Sequence, residues 1–168
     1  MPSRKAIIAT GLVLALAALI PASGAAKAGG SDRPSKATVT SGTARFNLVT
    51  NAFTVDFAGV GTHTGMYTAH GEGTGVVDAT GILHGSGTTT IVAANGDEIF
   101  GTFTVTTADF PPDLHTATSV TTITGGTGRF ADATGTLTTF VFSTNFTVDF
   151  PIVTRTDDTG TTMGTISY

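Results

Sequence analysis

The sequence predicts a single all-β domain, folded as an antiparallel sandwich or barrel of eight or nine strands. From Ala37 onward, short β-prone runs alternate with Gly, Asn or Asp at close spacing, which is typical of such folds. About 35 threonines follow position 28, whereas the whole chain has only two glutamates. Strand formers are therefore abundant and helix formers scarce. No stretch shows an apolar period of 3.6 residues, which argues against crossover helices and a parallel sheet.

The individual strands follow from the positions of the turn residues. The β-prone runs lie near residues 37–49, 52–58, 64–77, 82–94, 98–107, 117–124, 135–143, 145–155 and 161–168. A proline-rich loop, Asp109–His115, interrupts the sheet between two of them.

Residues 1–28 are predicted to be a secretory signal peptide. Two basic residues precede an apolar run of about fifteen residues, Ala6–Ile20, and small residues follow it. This run is shorter than the ~20 residues that a membrane span needs, so no span is expected after cleavage. The mature N-terminus is expected between Ala25 and Gly29.

The mature chain is predicted to begin with a flexible lead-in at 29–36 and to continue as one β-domain over 37–168. It keeps five basic and twelve acidic side chains, a net charge of −7, and it has no Cys. The lack of a basic patch argues against a nucleic-acid partner, and the lack of Cys excludes disulfides and thiolate metal sites. An exported acidic protein without Cys fits a bacterial secreted or periplasmic location. No cofactor is expected.

The clearest local signal is the Asn95-Gly96 pair between two β-prone runs. This pair predicts a two-residue hairpin turn in which both residues adopt positive φ. Such a turn would place Ile91 opposite Phe100, on one face of the sheet.

Four segments of the chain together resemble a known family. They are Gly61–Thr68, Ala93–Phe100, Ile123–Gly135 and Gly164–Tyr168. In this order they resemble bacterial secreted proteins of the allene oxide cyclase-like barrel group. The phrase GGTGRF followed by ATG is similar to one in plant allene oxide cyclases and dirigent proteins.

The resemblance implies an eight-stranded antiparallel barrel, which in the plant relatives is often oligomeric and holds a small, largely apolar molecule. It does not imply a shared reaction, because one barrel hosts unrelated functions. The catalytic residues of the plant enzymes match no positions of this chain, so none is carried over.

Within the shared phrase, glycines are predicted to make a tight turn between strands. Gly125, Gly126 and Gly128 permit positive φ and close approach of the backbone, and Gly135 lets the next strand bend. Phe130 is predicted to plug one end of the barrel. A phosphate-binding loop would need a helix directly after the glycines, and β-prone residues follow instead.

His70 and Glu72 are the candidate catalytic residues. They alternate on one strand, so both point to the same face about 7 Å apart. With His63 or His84 they could form an acid–base pair or a His/His/Glu metal site. Two ordinary polar residues on a solvated face are the simpler interpretation, and no metal site is predicted.

Five phenylalanines are candidates for lining a ligand-binding lumen. They are Phe100, Phe103, Phe140, Phe142 and Phe146. A small eight-stranded barrel has an interior just wide enough for side chains or one small ligand. Because Thr and Gly fill little space, we expect a mostly apolar lumen with a narrow pocket at one end, and His70 and Glu72 as its nearest polar groups.

The sequence thus predicts an exported barrel that binds a small apolar ligand or serves as an extracytoplasmic structural module, without catalysis. The alternative is a cyclase or isomerase that acts on a lipid-like or phenolic substrate inside the barrel. A third interpretation is a solidly packed structural homo-oligomer. A buried acid or base among the lining residues would favour the enzyme, whereas a lining of Phe, Val, Ile and Thr would favour binding or structure.

Overall fold

A computed structural model describes residues 30–108 and 116–168. The predicted signal peptide and its cleavage site, as well as the loop Asp109–His115, lie outside these residues. Within the described ranges the backbone forms ten strands and one 3-10 turn, Gly128–Phe130. The strands are β1 (Arg33–Asn47), β2 (Ala52–Gly61), β3 (Gly65–Val77), β4 (Leu83–Ala93), β5 (Glu98–Ala108), β6 (Thr116–Gly126), β7 (Thr134–Phe142), β8 (Asn145–Asp149), β9 (Ile152–Thr156) and β10 (Thr159–Ser167).

Eight of these strands close into an antiparallel β-barrel, so the all-β prediction is confirmed and the sandwich is excluded. Strands β1 to β7 pair in chain order, and β10 pairs with β7 on one side and with β1 on the other. The turns at 62–64, 94–97 and 127–133 lie at one end, called here the tyrosine end because Tyr67 and Tyr168 lie there. The other end, where β9 brings Arg155 to the barrel, is called the arginine end.

Residues 33–36 of the lead-in predicted at 29–36 belong to a strand and take part in closing the barrel. Strand β1 begins at Arg33, where the sequence predicts flexible chain, and Arg33–Lys36 pair with Ile166–Met163 of β10. The polar composition of this stretch does not predict a strand. It forms one because its backbone groups hydrogen-bond to the last strand of the chain.

Strands β8 and β9 form a hairpin outside the barrel. The sequence predicts a single run at 145–155, but the chain reverses at Phe150-Pro151 and pairs Asn145 with Thr156. In the ladder between β7 and β10, Phe142 pairs with Thr159, and the pairs between β8 and β9 follow in the same register. The hairpin is therefore a continuation of β7 and β10 beyond the barrel wall. Strand β9 also pairs with the second half of β1.

The β4–β5 turn differs from the predicted two-residue turn. The amide of Gly96 donates to Ala93 O at 2.9 Å and the amide of Ala93 donates to Asp97 O at 2.8 Å, which leaves three residues in the loop. Gly96 has positive φ (+86°), but Asn95 does not. This is a type I turn closed by a left-handed glycine, the usual three-residue hairpin loop. The register consequently slips by one residue, and Ile91 pairs with Ile99 rather than with Phe100.

A one-residue slip exchanges the two faces of a strand. Ile91 and Ile99 therefore face the interior, and Phe100 faces outwards.

In the glycine-rich β6–β7 turn, two of the three glycines predicted to permit positive φ adopt it, and so does Gly135, where the next strand was predicted to bend. Gly125, Gly128 and Gly135 have φ of +144°, +54° and +146°. Gly126 lies outside the left-handed region, so its requirement is space rather than φ. As predicted, Phe130 fills the barrel end, where it is fully buried.

Asp97 ties this turn to the neighbouring β4–β5 loop. Its Oδ2 accepts hydrogen bonds from Asn95 Nδ2 at 2.7 Å and from the Arg129 amide at 3.2 Å, and these bonds hold the pKa of the Asp97 carboxyl below its ordinary value. The amide of Glu98 donates to Thr127 Oγ1, and the amide of Thr127 donates to Glu98 O, each at 2.9 Å. The two loops thus form one rigid cap over the tyrosine end.

Replacing Gly126 with valine is expected to lower the melting temperature by about 5–10 °C, since overpacking costs about 1–3 kcal/mol. A Cβ at position 126 would stand 2.1 Å from Glu98 O and 2.9 Å from Phe130 Cβ, so the backbone of the cap must shift. The matched control is Thr124→Val, an exposed position on the same strand. Equal melting curves for the two variants would contradict the close-approach argument.

Candidate functional site

The barrel lumen holds an apolar cavity of about 120 Å³. All eight barrel strands contribute inward side chains to it, and most of them are small or aliphatic. Ala37 and Ala69 contribute only small side chains to the wall, and Phe53 and Phe103 pack edge to face with ring centroids 5.9 Å apart. The lumen is therefore partly open rather than solidly packed.

Of the five phenylalanines predicted to line the lumen, only Phe103 does so. Phe100, Phe140 and Phe142 are exposed on the outer surface, and Phe146 lies on β8 outside the barrel. The predicted placement of these four is wrong for two reasons. The register slip turns Phe100 outwards, and on β7 the inward positions belong to Leu137 and Val141 instead. The sequence prediction missed Phe53, Phe57 and Val55, which line the cavity from β2.

His70 and Glu72 share a face, as predicted, but it is the outer face of the barrel. Residues of odd number on β3, such as Tyr67 and Ala69, point into the lumen, so residues of even number point to solvent. His70 Nδ1 lies 2.7 Å from Oδ1 of Asp56 on the neighbouring strand β2, and both side chains are exposed. The prediction that His70 and Glu72 are the polar groups nearest the lumen is therefore wrong.

Neither of the other two histidines in the described part of the chain joins them. His84 Nε2 lies 3.0 Å from Asp78 Oδ2, and His63 lies in the β2–β3 turn at the tyrosine end. The described residues bring no three His, Cys, Asp or Glu side chains together in a way that could hold a metal ion.

The titratable groups that line the cavity at the tyrosine end are Tyr67 and His63, beside the hydroxyls of Ser35, Thr62 and Thr64. Burial raises the pKa of the Tyr67 phenol, which keeps it neutral and able to donate a hydrogen bond. Its hydroxyl has no hydrogen-bond partner in the described part of the chain. The His63 ring is held on both sides, with Nε2 2.9 Å from Pro34 O and Nδ1 3.3 Å from the Tyr168 hydroxyl.

A second, smaller chamber of about 60 Å³ lies at the arginine end. It shares Phe53, Val55, Val105 and Ala117 with the main cavity, so the two are adjacent sections of one lumen. Its wall is apolar apart from Thr107 and two arginines, Arg45 and Arg155.

Arg155 forms a buried ion pair with Asp158 at the break between β9 and β10. Its Nε and Nη2 lie 3.1 and 2.8 Å from Asp158 Oδ2, and the residues are 5% and 0% exposed. Asp158 Oδ1 and Thr107 Oγ1 are buried and have no hydrogen-bond partner within residues 30–108 and 116–168. Buried polar groups are rarely left unpaired, and such atoms often mark a site for water or a ligand.

The sequence analysis did not single out Arg155 or Tyr67. A signal for Arg155 exists, since it alternates with Val153 and therefore shares the inward face of β9 with a core residue. Its partner Asp158 follows the left-handed residue Asp157 (φ +61°), and this irregularity places Asp158 on the inward face.

Comparison of the chain with protein-family models, with curated proteins and with solved structures finds no match in any of the three. The described residues include no helix with the length and apolar character needed to cross a membrane.

Proposed function

We propose that this protein is an exported β-barrel that binds a small apolar molecule in its lumen. The observation that carries the proposal is the cavity of about 120 Å³ lined by aliphatic and aromatic side chains. An engineered apolar cavity of about 150 Å³ in another protein stays dry and binds benzene, so a space of this size suits a single small ring. A long acyl chain would not fit.

The resemblance of segments such as Ile123–Gly135 to the allene oxide cyclase-like group supports the same proposal. We assign the barrel to that group on these motifs and on its eight closed strands. The secreted or periplasmic location follows from the leader at 1–28 and is part of the proposal. The homo-oligomer expected from the resemblance stays a prediction.

The alternative, a cyclase or isomerase, has one observation in its favour. Tyr67 is a neutral acid in the lumen whose hydroxyl is free to donate a proton. A general base would also be needed, and His63, the only imidazole that the described residues contribute to the cavity wall, has both ring nitrogens engaged. Binding without turnover is therefore the better-supported function.

Benzene, toluene and indole are expected to raise the melting temperature of the purified protein by about 4 °C at tenfold excess over Kd, since such an excess stabilises the folded state by about 1.4 kcal/mol. Ala69→Leu, which fills the cavity, is expected to abolish the shift. The matched control Thr68→Leu adds the same side chain on the outer face and should leave the shift unchanged.

No shift with any of the three probes, or an equal shift in Ala69→Leu, would contradict binding in the lumen. Conversion of a bound probe to a product, lost in Tyr67→Phe, would establish the enzyme instead.

A further inference from the structure

The chamber at the arginine end contains hydrogen-bonding capacity that the protein itself does not use. Thr107 and Arg155 both line it, and each is only 5% exposed. The Thr107 hydroxyl has no hydrogen-bond partner among the residues that the structure describes. Arg155 uses Nε and Nη2 to bind Asp158, so its Nη1 donors have no acceptor among the described residues.

We propose that this chamber is a binding site for the polar head of the lumen ligand, and that this head is an uncharged hydrogen-bond acceptor. The inference rests on the proposed function and names the kind of ligand that the lumen selects. The apolar body of the ligand lies in the main cavity, and its head passes Phe53 and Ala117 into the adjacent chamber.

The head is an acceptor because both available groups can donate. Arg155 has donors only, and the Thr107 hydroxyl can donate as well as accept. An acceptor placed between them receives two hydrogen bonds, one of them from a charged donor, which is the stronger kind.

The head is uncharged because the buried guanidinium, that of Arg155, is already neutralised. Arg45, the other arginine of the wall, is exposed to solvent, which screens its charge. Asp158 is fully buried and contacts Arg155 at 2.8 Å, so the pair carries no net charge. A second carboxylate would bring an unbalanced negative charge into an apolar chamber, where an ion is costly to desolvate.

Water is the competing occupant, since a chamber of about 60 Å³ has room for it. The two occupants are distinguished by measuring whether an acceptor head on the ligand raises its affinity. Three probes of nearly equal shape serve this purpose: toluene with no acceptor, benzonitrile with an uncharged acceptor, and benzoate with a charged one.

For the wild-type chain, we expect benzonitrile to bind about tenfold more tightly than toluene in calorimetric titrations, and benzoate to bind more weakly than either. In Thr107→Val, which keeps the side-chain shape, the advantage of benzonitrile over toluene should fall to about threefold or less. The matched control is Thr106→Val, because Thr106 lies beside Thr107 on the same strand but is exposed on the outer face. That variant should keep the tenfold advantage.

The nitrile stretch of bound benzonitrile gives a second readout that does not depend on affinity. In the wild-type protein the band is expected at the higher frequency of a hydrogen-bonded nitrile, and in Thr107→Val at a lower frequency.

Equal affinities for toluene and benzonitrile, with the same nitrile band in wild type and Thr107→Val, would overturn the proposed head site and leave water in the chamber. That result would leave lumen binding intact. Failure of all three probes to bind would instead contradict the proposed function itself. Tighter binding of benzoate than of benzonitrile would overturn the uncharged head.

Discussion

Replacing Arg155 with methionine is expected to lower the free energy of unfolding by about 3–5 kcal/mol. The reason is Asp158, which is fully buried and whose side chain has Arg155 as its only partner in the described part of the chain. Methionine fills much of the space of the arginine stem but leaves this carboxylate in an apolar interior without a counter-charge. Urea unfolding followed by circular dichroism measures the change as a shift of the midpoint at constant slope.

Two further variants show whether the charge or the packing is responsible. The double variant Arg155→Met with Asp158→Leu removes both charges and should recover more than half of the lost stability, as apolar replacement of buried pairs often does. Arg129→Met removes an arginine whose Nε lies 3.9 Å from Asp97 Oδ2 in a partly exposed pair, so it should cost about 1 kcal/mol, well below the cost of Arg155→Met. If Arg155→Met costs as little as Arg129→Met, the buried pair is not a stability determinant.

Replacing Phe130 with alanine is expected to cost about 3–5 kcal/mol, the range for a large side chain deleted from a closed core. Phe130 is 0% exposed and packs with Ile99, Ile166 and the ring of Tyr168, whose centroid lies 4.9 Å away. Its loss would leave a void beneath the cap of the tyrosine end. The same urea titration measures the change.

The comparison for this variant is Phe100→Ala. Phe100 is an equally large ring that the sequence prediction placed in the lumen, but it is exposed on the outer face of β5. Its truncation should cost about 1 kcal/mol or less. A cost for Phe100→Ala equal to or above that for Phe130→Ala would show that the two faces have been assigned wrongly.

Much of the fold is readable from local sequence. Runs of β-branched residues between glycines and asparagines predicted most strand positions, because such residues suit a pleated backbone and turn residues end it. Gly125 and Gly128 were predicted to permit positive φ and adopt it, since the requirement lies in the residue itself. Gly126 was predicted likewise and does not adopt it.

The faces of the strands were harder to predict. A single residue in the β4–β5 loop changed the register and reversed the orientation of Phe100. Threonine is frequent on both faces and gives no clear alternation, so nothing in the local pattern of β7 separates Phe140 and Phe142 from Leu137 and Val141.

The sequence by itself determined that the protein is an antiparallel β-domain with a capped glycine-rich turn, because propensity and turn geometry act over a few residues. Only the tertiary structure decided that β1 closes against β10, that Arg155 meets Asp158 inside the barrel, and that a small apolar lumen remains. These features depend on contacts between residues far apart in the chain and on the parity of each strand. A one-residue change in a turn is enough to alter that parity, and the composition of the strands does not reveal it.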